Sequence, residues 1–192
     1  GPFAGDFLKL LGNGKEFGLR DLHYTYQEGE GGIAEALGLT EHFVDHDSVC
    51  VILGDNIFSG DISAGLNRFL KQKSGAKVFL KEVQDAHRFG VAYVEGHKVV
   101  NIEEKPRNPQ SNLAVTGLYF YDSSAHIAAE NIKPSFRGDY EISDIHTWLA
   151  QNGYNVSWQE SRNWWKDRGN PKDLLEGNKF VLTNKQALGK QA

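Results

Sequence analysis

Residues 49–56, VCVILGDN, decide the fold: they form a continuous apolar run, rich in β-branched side chains, that ends on Asp55 and Asn56. The run is too short for a lone helix and suits a strand buried on both faces. Outward from it, residues 61–73 carry an amphipathic helical pattern and AKVFLKEV (76–83) returns to strand. Upstream, LHYTY (22–26) reads as a strand. The glycines Gly29, Gly31 and Gly32 then lead into IAEALGLTEHFV (33–44), where Ile33, Ala36, Leu37 and Phe43 share one helical face. The order strand, helix, strand, helix, strand predicts parallel crossover units, hence an α/β sheet.

From Arg88 the pattern changes. VAYVEG (91–96) and HKVVNIEEKP (97–106) predict a hairpin turning at Gly96, and AVTGLYFYD (114–122) a strand with alternating large residues. Helical segments follow near 123–131 and 141–152, then a strand YNVSWQ (154–159), an aromatic turn NWWKD (163–167) and a last helix from about 171. At the start, Phe7, Leu8, Leu10 and Leu11 recur at helical spacing and stop at Gly12, which predicts a short opening helix. Leu174, Leu175, Phe180 and Val181 of the last helix are assigned to core rather than to an interface.

The 192 residues are 40% hydrophobic and 24% charged, the composition of a globular protein, and they contain no repeat or low-complexity tract, so the expectation is one domain over 1–192. A net charge of −4 opposes nonspecific attraction to nucleic acid or anionic membrane, so any phosphate must be caught by local cations. No run approaches a membrane span, no signal peptide is evident, and the expected location is the cytoplasm. Cys50 cannot form an internal disulfide alone and is expected as a small buried side chain. The chain opens Gly-Pro and has no methionine, which predicts that residue 1 is not the native translation start.

Several residues are placed for chemistry. Asp55 ends its strand, where ligands of open α/β sheets bind, and can hold a divalent cation or simply begin a turn. Asp167, after Trp164 and Trp165 and before Gly169, supplies a second carboxylate for a magnesium-nucleotide site if the two converge; otherwise it is an acidic residue near a helix start. Glu103 and Glu104 point to opposite faces of a strand. Glu104 can therefore accept from sugar hydroxyls while Lys105 neutralises a phosphate, against the alternative of a solvated strand end before Pro106. Arg137 can grip phosphate bidentately or lie exposed beside a helix cap, with Glu141, Ser143 and Asp144 close behind it. Gln27 and Gly32 flank a loop able to approach a pyrimidine edge. The histidines and serines show neither zinc-ligand spacing nor a nucleophile motif, which disfavours covalent catalysis.

Taken in order, AGDFLKLLGNGKEFGL (4–19), YQEGEGGIAEALGL (26–39), VILGDNIF (51–58), RFGVAYVE (88–95), IEEKPRNPQSNLAVTGLYFYD (102–122), KPSFRGDYEISDI (133–145) and WWKDRG (164–169) resemble the glucose-1-phosphate thymidylyltransferases among sugar nucleotidyltransferases. The resemblance implies a Rossmann-like mixed, mainly parallel sheet flanked by helices, of the nucleotide-diphospho-sugar transferase type. The implied activity joins dTTP to α-D-glucose 1-phosphate, giving dTDP-glucose and pyrophosphate. It also implies Mg2+ on Asp55 and Asp167, and nucleotide contacts at Gln27, Gly32 and Asp55. Sugar contacts fall on Gly90, Glu104 and Val115, with Tyr119 lining the pocket and Lys105 and Arg137 at the sugar phosphate. A homo-oligomer, as large as a tetramer, and product feedback are implied too.

Two departures stand out. The family's first strand and glycine-rich phosphate loop have no counterpart in these residues, which predicts a domain truncated at its N-terminus and a poor catalyst when alone. Arg168 follows the second aspartate where relatives commonly carry a small or hydroxyl residue, so that metal position is less firmly implied than Asp55. A uridylyl- or cytidylyltransferase, or a sugar-nucleotide binding module without catalysis, is the alternative reading.

Overall fold

The computed structural model describes residues 3–72 and 74–188. Its centre is a six-stranded mixed sheet of β1 (Val49–Ile52), β3 (Ala76–Glu82), β4 (Gly90–Glu95), β5 (Lys98–Glu104), β6 (Leu113–Tyr121) and β7 (Val156–Glu160), in the spatial order β1-β6-β3-β7-β5-β4. A separate two-stranded ribbon pairs β2 (Asn56–Phe58) with β8 (Trp165–Asp167). The expected mixed α/β sheet flanked by helices is present. β1, β3, β4 and β7 run in one direction, but β6 lies reversed between β1 and β3, so β3–β7 is the parallel neighbour pair among the described strands.

β6 is the spine of the core. Its alternating residues face opposite sides, as strand geometry requires. Tyr119 and Tyr121 join Ala34, Leu37, Val78, Ile145 and Leu149 under α2 (Ile33–Gly38), α5 (Ser124–Asn131) and α6 (Ile142–Gln151). Leu118 and Phe120 pack with Phe69 and Phe79 beneath α4 (Ser63–Leu70). Between Val78 and Leu80 the β3–β6 register slips, because Thr116 to Leu118 face Phe79 alone. The Thr116 hydroxyl donates to the Phe79 carbonyl at 2.9 Å and fills the bulge.

Several sequence expectations are corrected. Residues 22–26 form no strand, since nothing among the described residues offers their backbone a ladder. They lie across an open cleft of about 930 Å3 from β1, which is a sheet edge. For the same reason β1 is not buried on both faces, and Cys50 is exposed. The helix expected over 33–44 divides into α2 and α3 (Glu41–Val44), and the Thr40 hydroxyl caps the Leu37 carbonyl at 2.7 Å between them. The helix expected over 61–73 ends at Leu70, and Lys73 lies outside the described residues. The aromatic turn at 163–167 contributes β8, because the Ser59 amide donates to the Trp164 carbonyl at 2.9 Å and closes the ribbon with β2.

The opening helix α1 (Ala4–Leu11) forms as expected, with none of its residues buried. On α7 (Pro171–Leu188), Leu174 and Leu175 are exposed rather than core, while Phe180 stacks on Trp164 with ring centroids 3.9 Å apart. The Gly96 hairpin, β7, α5 and α6 match their expected places. No described helix is long and apolar enough to cross a membrane.

Within the core, His146 is fully buried, its Nε2 2.6 Å from the Tyr121 hydroxyl and its Nδ1 without a partner. Burial pushes the imidazole down to about 3. The folded value lies below the ordinary 6.5, so this group's contribution is present above that pH and lost as pH falls from 6.5 towards 3. The expected slope is about 1.4 kcal/mol per pH unit across that window. Urea unfolding of the parent and of His146→Gln at pH 7, 6, 5 and 4 checks it: the variant should show the shallower decline.

Candidate active site

Two clusters meet along β6, in the gap between the end of β1 opposite Leu118 and the start of β4 opposite Ala114. In the first, β5 brings Glu104 inward while Glu103 points out to receive the Tyr93 hydroxyl at 3.0 Å. Glu104 Oε2 accepts from the Ser143 hydroxyl at 2.6 Å, and Oε1 lies 3.7 Å from Lys105 Nζ and 3.8 Å from Arg137 Nη1. Lys105 has φ +45° and donates its amide to the Phe89 carbonyl at 3.0 Å, so the strand breaks sharply and aims the ammonium back along Glu104. Arg137 also reaches Glu141 at 3.3 Å and Asp139 at 3.5 Å.

This cluster holds more acid than base, and burial sharpens the imbalance. Glu141 is pushed above the usual carboxylate range by burial and then by Glu104, against the pull of Arg137 and Ser135. Asp144 is raised by the same two causes, burial first. A dianionic phosphate entering beside Lys105 and Arg137 would exchange weak contacts at 3.3 to 3.8 Å for charge-assisted ones. Gly90 opens β4 directly opposite Glu104, and a Cβ there would sit 2.8 Å from Ser143 Oγ and 3.2 Å from Glu104 Oε2. The position thus admits no side chain without moving both oxygens. Val115 and Tyr119 are buried on β6. Burial first, then the charges of Glu104 and Asp55, holds the Tyr119 phenol far above its ordinary value, which places it electrostatically between the clusters.

In the second cluster, the β2–β8 ribbon sets Asn56 opposite Asp167, one residue from Asp55. The Arg168 amide donates to the Asp55 carbonyl at 2.9 Å, and its guanidinium donates to the Gly54 carbonyl at 3.1 Å. The arginine that departs from the family pattern therefore ties the two acidic turns together. Asp167 is raised by burial, lowered by Arg88, and raised again by Asp173 and Asp55, and the ribbon pairing sets its backbone beside that of Asp55. No group of three or more potential metal ligands occurs among the described residues. Two carboxylates still suit magnesium, which keeps water and phosphate oxygens in the rest of its shell.

Sequence reasoning missed Asn56. Its Nδ2 donates to Asp55 Oδ1 at 2.7 Å, while its Oδ1 accepts from the Gly117 amide at 3.1 Å and from the Trp165 indole at 2.6 Å. Ser143 was noticed only as a neighbour of Arg137, and its bond to Glu104 could be inferred only from the paired fold.

Gln27 and Gly32 stand on the adjoining cleft, together with Asp139 and Gly54. Gln27 Nε2 donates to the Gly32 carbonyl at 3.0 Å and to Glu35. Gly32 has φ +97°, and a Cβ there would lie 2.4 Å from the Tyr140 carbonyl oxygen. The closeness reflects two backbone bonds, from the Tyr140 amide to Gly31 at 2.8 Å and from the Ala34 amide to Tyr140 at 3.1 Å. The loop bearing Gly32 is thus stitched to the loop bearing Arg137.

Comparison with known proteins identifies the family. The nucleotidyl transferase family model matches residues 5–184. A glucose-1-phosphate thymidylyltransferase of Neisseria meningitidis is 41% identical over 180 residues, 92% of this chain and 62% of that protein. A low-salt glycan biosynthesis nucleotidyltransferase of Haloferax volcanii is 36% identical over 92% of this chain and 49% of its own length. The chain therefore spans about half to two-thirds of these curated relatives. Among solved structures, a Bacillus anthracis protein assigned as a glucose-1-phosphate thymidylyltransferase, in complex with a sucrose, superposes with a TM-score of 0.84 at 46% identity. The match covers 92% of this chain and 71% of that one. A UDP-glucose pyrophosphorylase bound to UDP-glucose shares the fold, with a TM-score of 0.78 at 18% identity over 94% of this chain and 73% of its own.

Asn56→Ala would strand the Trp165 indole and the Gly117 amide without their acceptor. Each lost partner costs about 1–3 kcal/mol. The expected destabilisation is therefore about 2–6 kcal/mol, read by urea unfolding at pH 7, and a change below about 0.5 kcal/mol would show that water replaces the amide.

Proposed function

Because the chain belongs to the nucleotidyl transferase family, we propose that it serves a glucose-1-phosphate thymidylyltransferase, joining dTTP to α-D-glucose 1-phosphate. The observation that carries this reading is Glu104: a hydroxyl-accepting carboxylate fixed by Ser143, flanked by Lys105 and Arg137, and next to the Asp55–Asp167 pair. Residues 1–192 act in this reading as one nucleotidyltransferase domain.

Glu104 accepts from sugar hydroxyls, the backbone at Gly90 leaves room for the ring, and Val115 and Tyr119 wall it. Lys105 and Arg137 hold the sugar phosphate. One of its oxygens attacks the α-phosphorus of dTTP in line; the new O–P bond forms as the bond to the bridging oxygen breaks, and pyrophosphate leaves with that electron pair. No side-chain nucleophile is needed. Asp55 and Asp167 would hold Mg2+, which when bound neutralises charge on the phosphate oxygens. Lys105 and Arg137 supply the remaining fixed positive charge.

The base selectivity follows from Gln27. Its amide nitrogen is spent on Gly32 and Glu35, which leaves Oε1 as an acceptor. An acceptor matches N3–H of thymine or uracil and opposes N3 of cytosine, itself an acceptor. The cytoplasm is the proposed setting and a homo-oligomer the proposed assembly.

Pyrophosphate release by the complete protein from dTTP, UTP and CTP with glucose 1-phosphate and Mg2+ tests the reading. dTTP should turn over best, and CTP at least about 100-fold more slowly; preference for CTP would overturn the assignment. Asp55→Asn should lower turnover about 100-fold or more without unfolding the protein, and near-parental turnover would remove Asp55 from the centre.

A further inference from the structure

Arg88 is prominent in the structure, yet no role has been given to it. It closes the short 3-10 turn Ala86–Arg88 just before β4, and a guanidinium there could have pointed into solvent. Instead its Nη1 donates to Asp85 Oδ2 at 2.8 Å and its Nη2 to Asp173 Oδ2 at 2.9 Å. Asp173 is 3% exposed and lies in the first turn of α7, where its amide donates to Asn170 Oδ1 at 2.9 Å, as at a capped helix start. Lys166 meets its other oxygen at 3.0 Å. The same Arg88 Nη2 lies 3.9 Å from Asp167 Oδ2, inside the range of charge attraction and beyond that of a hydrogen bond.

Arg88 is also locked from the sugar side. Its guanidinium lies 5.2 Å above the Phe89 ring, Phe89 packs on Trp165 at 5.4 Å, and the Phe89 carbonyl receives the Lys105 amide. One side chain thereby joins the turn that precedes Gly90 and Lys105 to both ends of the segment carrying Asp167.

We propose that Arg88 is a positioning residue for nucleotidyl transfer: it anchors the start of α7 through Asp173 and holds Asp167 in place by charge without occupying its oxygens. The inference rests on the acidic pair proposed above. A guanidinium suits this because its planar fork reaches two carboxylates at once while a third stays within its field. The lysine ammonium, a point charge, cannot reproduce that span. Asp167 thus stays oriented towards Asp55 with its oxygens available for a cation, the task that residues behind a metal ligand commonly perform.

The test is Mn2+ binding to this chain with dTTP present, read by the enhancement of water-proton relaxation over that of Mn2+ with dTTP alone, for the parent, Asp55→Asn, Asp167→Asn, Arg88→Ala, Arg88→Lys, Asp173→Asn and Asp85→Asn. Asp55→Asn and Asp167→Asn should abolish site binding. Arg88→Ala, Arg88→Lys and Asp173→Asn should each weaken it about tenfold or more. Asp85→Asn, whose amide oxygen can still accept from Arg88 Nη1 and which touches neither Asp167 nor Asp173, should stay within about twofold as the structural control. If the Asp55 and Asp167 variants lose binding while both Arg88 variants retain it, the positioning role is overturned and the acidic pair stands. If the Asp55 and Asp167 variants bind like the parent, or the parent shows no site binding, the acidic pair fails and this inference with it. Arg88→Lys keeps the charge and guards against a misfolded alanine variant; full recovery by lysine also overturns the two-armed clamp.

Discussion

The site depends first on one carboxamide. Asn56 accepts from Gly117 in the main sheet and from Trp165 in the ribbon, and donates to Asp55 between them. Its acceptor work is possible because β1 ends there: the Gly117 carbonyl accepts from the Leu53 amide at 2.9 Å, the Leu53 carbonyl accepts from the Asn56 amide at 3.1 Å, and the Gly117 amide on the same side of β6 is left for Asn56 Oδ1. Gly117 itself has no room for a side chain, since a Cβ would sit 2.6 Å from the Asn56 side chain. Glycine and asparagine are one device, and the ribbon that carries Asp167 is tied to the sheet through it.

Charge is arranged by the same economy of contacts. Glu104, Glu141, Asp144 and Asp167 belong to the two clusters beside β6, and burial raises three of them. Arg137 faces the first group and Arg88 the last, each shared among several carboxylates rather than paired with one. Sharing leaves Glu104 and Asp167 with guanidinium contacts of 3.8 and 3.9 Å, longer than hydrogen bonds. Such a cluster gains when a polyanion and its cation arrive together, because both deficits are then filled at once.

How much of this was legible in the sequence follows from the range of the interactions involved. Asp55, Glu104 and Lys105 were readable because they end strands whose apolar runs announce themselves, and the Gly96 hairpin was readable because its turn is local. Residues 22–26 have the composition of a strand, but a strand exists only with a ladder beside it, and composition does not carry that partner. β8 reads as a turn in the sequence because it is three residues long and its described partner, β2, lies more than a hundred residues away. Asn56, Ser143 and Arg88 act through partners distant in sequence, which no periodicity reveals.

The backbone stitch between Gly31, Gly32 and Tyr140 has a further consequence. The glycine loop and the arginine loop share two main-chain hydrogen bonds at a contact too close for any side chain. They are joined there by main-chain bonds, so their relative position is set by backbone geometry. Under the proposed reading, a base at one loop and a phosphate at the other would sit a distance apart that this stitch helps to set. Such a span would work as a caliper, measuring the separation of two ligand groups as well as their chemistry.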